Sequence, residues 1–393
     1  MNVQNHSMIN GRALYMFSHP SKAEWGYEKV QYDSFAIIFP KDYDETKKYP
    51  LDVVFHSAGH DVYSTLGCIW CEGNHDIYHV PDNMFGLVLD CRANTVREDN
   101  TDWWWGGNHA HREETTVKSG VETQPVEKRC MATIQWVCEN YGIDTNRIYA
   151  VGNSMGGSGA LGVALNRGDV FAAIKVNVPA GARHAMDRCC MDSNKPEGFK
   201  IPDPPIVVDY SAQNDLWSYG HDQFYKLMCE HKYAVMGFWG PFGHENNNKK
   251  IKDHNDLIHS FDAFSVKLNE AYPVFTNAST DDEIPWPDNL ESDKSGQINA
   301  FFRWRVITDS TDCFEIELRL LKQDEWESRV EFPKSSTADV SLRRLQKFTL
   351  NAGDKVTYSF GDKCGECVLD NSLLTVKNLT VTDTPKVLKI KKA

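Results

Sequence analysis

The chain has 393 residues, a formal net charge of −13, 41% hydrophobic residues and 25% charged residues. That length exceeds one small core, and two domains are expected, since domains commonly run to ~100–200 residues. The acidic balance has no basic block to offset it, which argues against a protein that tracks nucleic-acid phosphates, and no run approaches the ~18 to 20 apolar residues of a membrane helix.

Met1 to Arg12 is polar and lacks an apolar h-region, so no signal peptide is expected. Short runs rich in β-formers then recur: 34–39, 51–55, 85–89, 147–151, 173–178, 205–208 and 234–239. Such runs fit strands covered on both faces. Helical patterns alternate with them. Val126, Cys130, Ile134, Val137, Cys138 and Tyr141 fall on one face, and Gly142 stops that helix. Further helices are expected over 155–166, 219–231 and 255–271. Alternating β and α implies a mostly parallel sheet with helices on both faces. From residue 273 the chain turns proline-rich and acidic, which reads as a linker. Beyond it come short strands at 301–306, 313–320, 355–360, 373–376 and 387–390, separated by turn signals, in the style of a β-sandwich. Lys386, Lys389, Lys391 and Lys392 solvate the last of them. The expected organisation is a catalytic α/β domain over 1–275, a linker over 276–299 and a β-sandwich domain over 300–393.

Gly152-Asn153-Ser154-Met155-Gly156-Gly157 carries the most information. It matches G-x-S-x-G with a strand before it and a small-residue helix after it. A serine hydroxyl is a weak nucleophile and must stand exposed beside a base. A sharp strand-to-helix turn lifts Ser154 out of the sheet, and Gly152 and Gly156 leave room where a Cβ would clash. An acid and a histidine should follow in that order, from turns after later strands. The strand at 205–209 leads to Asp215, and the strand at 234–239 leads to His244. Asp209, His221, Asp222, His254 and His259 are the rivals, placed in strand or helix. The oxyanion donors should be the Met155 N–H and an N–H from the turn after the strand at 51–55, Ala58 first and Ser57 second. His56 is read as ordering that turn.

These residues resemble a family. His56-Ser-Ala-Gly59, Arg147 to Gly157, Gln213-Asn-Asp215 and Gly243-His244 together look like α/β-hydrolase esterases, nearest to the feruloyl and acetylxylan esterases of carbohydrate esterase family 1 and to polyhydroxybutyrate-depolymerase-like relatives. The likeness covers roughly residues 30–250. The family usually has His-Gly where this chain has His56-Ser57. The resemblance implies hydrolysis of a carboxylic ester through an acyl-enzyme with no metal or other cofactor. Less strongly, it implies an acetyl or feruloyl group on a plant-type polysaccharide.

Two long loops, about 57–82 and 92–122, leave the carboxyl edge of the sheet, and loops of that length are usually functional. The second holds Trp103, Trp104 and Trp105, whose flat faces suit a sugar ring or an aromatic acyl group. Trp217 and Trp239 are placed to line the same cleft, and packing is the alternative for all five. Cys68, Cys71, His75 and His79 are zinc-ligand types at a spacing tighter than the usual finger. Cys364 and Cys367 could form a disulfide, a redox pair or half a zinc site, with free or disulfide-linked cysteine at a hairpin preferred. Eleven cysteines, including Cys189–Cys190, make a poor disulfide framework. The compartment stays open between cytoplasm and a secreted form. The expected partner is an acylated saccharide or small ester, with no nucleic acid and no membrane. The competing readings are a serine peptidase of the same fold and a carbohydrate-binding or adhesion protein on an inactive hydrolase scaffold.

Overall fold

The computed structural model describes residues 2–27, 30, 32–71, 73–91, 104, 122–218, 220–244, 257–284, 294–369 and 373–393. A hairpin opens the chain: β1 (Asn2–Ile9) turns through Asn10 and Gly11 into β2 (Arg12–Pro20). Both turn residues have positive φ, 50° and 73°, the backbone that Asn-Gly adopts in a tight hairpin. There follow β3 (Tyr32–Ile38), β4 (Tyr49–Phe55), α1 (Val62–Gly67), β5 (Phe85–Leu89), α2 (Pro125–Asn140) and β6 (Ile143–Asn153). Then come α3 (Met155–Ala164), β7 (Ala173–Asn177), α4 (Arg183–Arg188), β8 (Ile206–Ala212), α5 (His221–Glu230) and β9 (Val235–Gly240).

These strands form one sheet in the order β1-β2-β3-β5-β4-β6-β7-β8-β9, and β4 to β9 run parallel. From β2 onward this is the strand order of the α/β-hydrolase fold, with β3 antiparallel beside β5. Parallel strands sandwiched on both faces carry apolar side chains on both. All seven residues of β8 are buried accordingly. Helix α2 packs Val126, Cys130, Ile134 and Val137 against one face, together with α3, α4 and α5. Gly142 does more than end that helix, because a Cβ there would lie 2.5 Å from the Lys47 carbonyl oxygen.

The opposite face differs from expectation. Among the described residues it carries the short α1 and the segment 257–271, which is not the helix expected over 255–271. Among the described residues of this segment, only Leu257 to His259 and Ala263–Ser265 turn helically. Short polar side chains bind local backbone there and stop each turn. Asp262 accepts the Phe264 N–H, and the Ser260 and Ser265 hydroxyls donate to the Leu257 and Asp262 carbonyls.

Beyond lie β10 (Tyr272–Thr276), β11 (Gly296–Ile298), β12 (Phe302–Asp309), β13 (Cys313–Leu320), β14 (Ser335–Arg343), β15 (Lys355–Phe360), β16 (Lys363–Val368), β17 (Thr375–Thr382) and β18 (Lys386–Lys392). All but β11 build two antiparallel sheets, β10-β14-β17 and β12-β13-β18-β15-β16. Strict alternation on β13 buries Phe314, Ile316, Leu318 and Leu320. The expected linker is not featureless. Its last residues form β11, which pairs antiparallel with the free edge of β9. Strand β10, just before it, already belongs to the C-terminal sheets. The chain thus crosses over, returns and crosses again. A three-residue strand is too short to leave a periodic signal.

The C-terminal core is continuous with the second face of the large sheet, as Tyr149, Val208 and Tyr210 share one cluster with Val340, Leu342 and Leu388. Polar clamps fasten the same seam. Arg343 donates to Asp203 Oδ1 at 2.7 Å and to the His231 carbonyl at 2.9 Å, and Lys232 Nζ donates to Thr375 Oγ1 at 2.8 Å.

Candidate active site

Ser154 sits between β6 and α3 with φ 56° and ψ −122°, a strained backbone for a residue with a side chain. The neighbours enforce it. The Ser154 N–H donates to the Asn177 carbonyl at 3.0 Å, and the Ser154 carbonyl accepts from Ala180 N–H at 3.0 Å and from Ser158 N–H at 3.1 Å. A Cβ on Gly152 would lie 2.2 Å from the Gly156 carbonyl oxygen, and one on Gly156 would lie 2.0 Å from that of Phe55. The turn can therefore close only on hydrogen at these two positions.

His244 arrives on the turn after β9, and Asp215 on the turn after β8. His244 Nε2 lies 2.8 Å from Ser154 Oγ, and Nδ1 lies 2.6 Å from Asp215 Oδ2. An ionised Asp215 accepts from Nδ1–H, which leaves Nε2 to accept the serine proton. The Asp215 side chain is buried, while a third of the His244 side chain reaches solvent. The Trp217 N–H donates to Asp215 Oδ1 at 2.8 Å, so both carboxylate oxygens are engaged. Asn214 Oδ1 accepts the Gly243 N–H at 2.8 Å and ties the two turns together.

Met155 is the first residue of α3. Ser57 and Ala58 follow β4, whose end packs on Gly156. The Ser57 N–H is already committed, donating to the Tyr78 hydroxyl at 2.9 Å. The Ala58 and Met155 N–H groups have no acceptor among the described residues. Ser57 Oγ donates to the Asn153 carbonyl at 3.0 Å and accepts from Asn153 Nδ2 at 2.8 Å, locking this turn to the one that carries Ser154. His56 is fully buried. Its Nδ1–H donates to the Ser57 carbonyl at 2.9 Å and its Nε2 accepts the Cys91 N–H at 2.9 Å, which orders the ends of β4 and β5.

A short 3-10 helix, Gly73–Tyr78, braces both sides of this site, and sequence reasoning missed it. Asn74 donates through Nδ2 to the His244 carbonyl at 3.3 Å and accepts from the Tyr210 hydroxyl. Its own carbonyl accepts from Asn177 Nδ2 at 3.0 Å. At the other end the Tyr78 hydroxyl holds Ser57, and burial pushes its pKa up to about 12. Partners so distant in sequence leave no local pattern. The loop's length over 57–82 was the one available signal.

The tryptophans divide. Trp103 and Trp105 lie outside the described residues. Trp104 is not a cleft residue: it is fully buried against Phe55 and Gly159, and its indole N–H donates to the His56 carbonyl at 3.0 Å. Trp239 is likewise buried, 6.1 Å from the Tyr225 ring and against Gly296 of β11, where strand pairing closes over it. Of the described cleft candidates, Trp217 alone is exposed, with Leu216, on the turn that carries Asp215.

The rivals have other company. Asp209 and His221 form a fully buried pair at 3.5 Å, and burial raises the Asp209 pKa to about 6. His259 lies 3.2 Å from Asp76, Asp222 lies 3.6 Å from Lys226, and His254 is outside the described residues. The cysteine and histidine candidates do not converge. His75 stacks on Tyr78 and His79 is exposed, and among the described residues no three His, Cys, Asp or Glu side chains are grouped to hold a metal. Cys364 is exposed, and Cys367 donates to the Thr375 carbonyl. Among the described residues no helix is long and apolar enough to cross a membrane.

No family model matches this chain, and no curated protein matches it. Solved structures do. The S-formylglutathione hydrolase from Agrobacterium tumefaciens is similar at 15% identity and a TM-score of 0.42, over 62% of this chain and 93% of that one. The CE1 ferulic acid esterase from the anaerobic fungus Anaeromyces mucronatus is similar at 16% identity and a TM-score of 0.42, over 62% and 92%. The fluorophosphonate-binding serine hydrolase F from Staphylococcus aureus follows at 13% identity and 0.39, over 58% and 91%.

Proposed function

We propose that the chain is a serine-dependent carboxylic ester hydrolase. The observation that supports this most is the unbroken hydrogen-bonded line from Ser154 through His244 to Asp215, starting on a strained turn. In this reading Ser154 Oγ attacks the acyl carbon while His244 Nε2 takes its proton. The Met155 and Ala58 N–H groups hold the oxygen that becomes negative. The tetrahedral adduct collapses, His244 returns the proton to the departing alcohol, and an acyl-serine remains. Water, deprotonated by His244, attacks that ester, and collapse restores Ser154. Asp215 stays ionised throughout and stabilises the imidazolium.

The finer reading is removal of acetyl or feruloyl groups from a plant-type polysaccharide or its fragments. Leu216 and Trp217, exposed beside Asp215, offer an apolar surface to the acyl group or ring. The catalytic unit is then residues 1–271 closed at its edge by β11, and β10 with residues 300–393 makes an accessory β unit.

A fluorophosphonate probe tests the reaction class. Labelling of the wild type that disappears in Ser154→Ala and falls sharply in His244→Ala supports it, and an unlabelled wild type refutes it. Asp215→Asn should lower turnover comparably to loss of another triad member or somewhat less, and an unaffected variant moves the acid elsewhere. Parallel rates on acetylated xylan, methyl ferulate and short aryl esters assign the acyl group.

A further inference from the structure

A cavity of about 560 Å³ opens where the segment 260–272 meets β12, β13 and the turn after them. None of its lining residues belongs to the turns that carry Ser154, Asp215 or His244. Its volume falls in the range of small-molecule sites, ~300–1,000 Å³. Trp304 and Trp326 contribute half-buried indoles, and Phe261 stands 5.3 Å from the Trp304 ring.

Arg303 is the telling residue of the wall. Its Nη1 donates to the Ala300 and Phe302 carbonyls, each at 2.8 Å, and its Nη2 donates to Ser260 Oγ at 2.6 Å. Every one of these partners is neutral. A guanidinium taken from water without a counter-ion is costly. Burial pulls the Arg303 pKa down to about 10, with Arg319 adding to that and Glu325 opposing it. The other charges of the wall are largely committed. Glu325 holds Arg319 at 2.6 Å and the Lys322 N–H at 3.0 Å. Arg305 reaches Glu317 at 3.0 Å, and Asp262 caps the Phe264 N–H. In a chain of net charge −13, the lining holds four cations against three carboxylates, and the most buried cation lacks a carboxylate partner among the described residues.

We propose that this cavity is a second binding site, for a carboxylate borne on a ring. The Nε–H and the second Nη2–H of Arg303, the two donors with no acceptor among the described residues, take the carboxylate as a planar fork. The indoles of Trp304 and Trp326 take the ring, whether a sugar's C–H-rich face or a flat aromatic one. That chemistry has two sources, a sugar-acid unit of a polysaccharide or a free aromatic acid. The proposal stands apart from the ester reading, since it requires no turnover.

Calorimetric titration of the full chain with sodium glucuronate and sodium cinnamate, against glucose and cinnamamide as uncharged counterparts, tests it. One of the acids is expected to bind with Kd near or below ~1 mM, and its uncharged counterpart at least ~10-fold more weakly. The acid that binds names the source. Arg303→Lys, which keeps the charge and loses the fork, and Trp326→Ala, on the outer turn, should each weaken binding by ~10-fold or more while aryl-acetate turnover stays at the wild-type rate. If Arg303→Lys fails to fold, Trp326→Ala carries the test. No heat from either acid at ~10 mM, equal affinity for the uncharged counterparts, or binding untouched by every folded variant overturns the proposal.

Discussion

The parallel sheet and the C-terminal antiparallel sheets spend their strands differently. Parallel strands all end at one edge, so the turns after β6, β8 and β9 gather there, and they are the turns that carry Ser154, Asp215 and His244. In an antiparallel sheet successive turns fall at opposite ends, and no such gathering is possible. What the C-terminal sheets offer is a face. Part of that face packs on the second face of the large sheet beside the segment 257–271, and another part walls the Arg303 cavity. Convergence of loops thus belongs to the first region, and cover and surface belong to the second.

Four substitutions would break or sharpen that contrast. Ser154→Ala should lower kcat by ~10⁴-fold or more with the melting temperature unchanged, as read from aryl-ester kinetics beside a thermal scan. Retention of more than about a tenth of the rate would contradict the placement of chemistry at this edge. Ile316→Ala, at a fully buried position of β13, should cost about 2–5 kcal/mol in denaturant unfolding and leave kcat intact below the melting range. Equal losses of rate and stability would mean that the second region does more than cover the first. Asn74→Ala removes the side chain that reaches the His244 carbonyl. It should lower kcat by ~10- to 100-fold with KM little changed, because a base displaced by a fraction of an ångström fails in the transition state rather than in binding. A rise in KM alone would assign Asn74 to substrate contact.

The smallest effect concerns pH. Burial holds the His19 pKa down at about 4, below its ordinary 6.5. Between those values the unfolded chain binds the proton and the folded chain does not, so stability is lost as pH falls from 6.5 toward 4. Between pH 6.5 and 4.5 the wild type should lose about 2 kcal/mol more than His19→Gln, by urea unfolding at each pH. Parallel loss in both proteins would remove His19 from the acid response.

Legibility followed the same divide. Strands buried on both faces left dense apolar runs, so β3 to β9 were readable within a few residues. So was the turn at Ser154, where glycine spacing reports a backbone constraint directly. Asp215 and His244 were found because chain order limits where an acid and a base can enter. Hydrogen bonds between residues far apart in sequence were not readable. Asn74 meets His244 across 170 residues, and Tyr78 meets Ser57 across 21. The tryptophans misled because an indole packs a core as readily as it lines a cleft, and composition does not distinguish Trp104 from Trp217. In the C-terminal sheets β14 escaped notice because its inward positions begin with the small Ser336 and Ala338. The helix expected over 255–271 failed because local capping by Ser260, Asp262 and Ser265 outweighed its apolar spacing.

The Ser154 hydroxyl is made reactive by its setting, and peptide mass spectrometry of the fluorophosphonate-treated protein tests that most directly. A single adduct on the peptide's Ser154, forming at least ~100-fold more slowly in His244→Ala, is the predicted result. An adduct on Ser158 or another residue, or equal labelling rates with and without the imidazole, would contradict it.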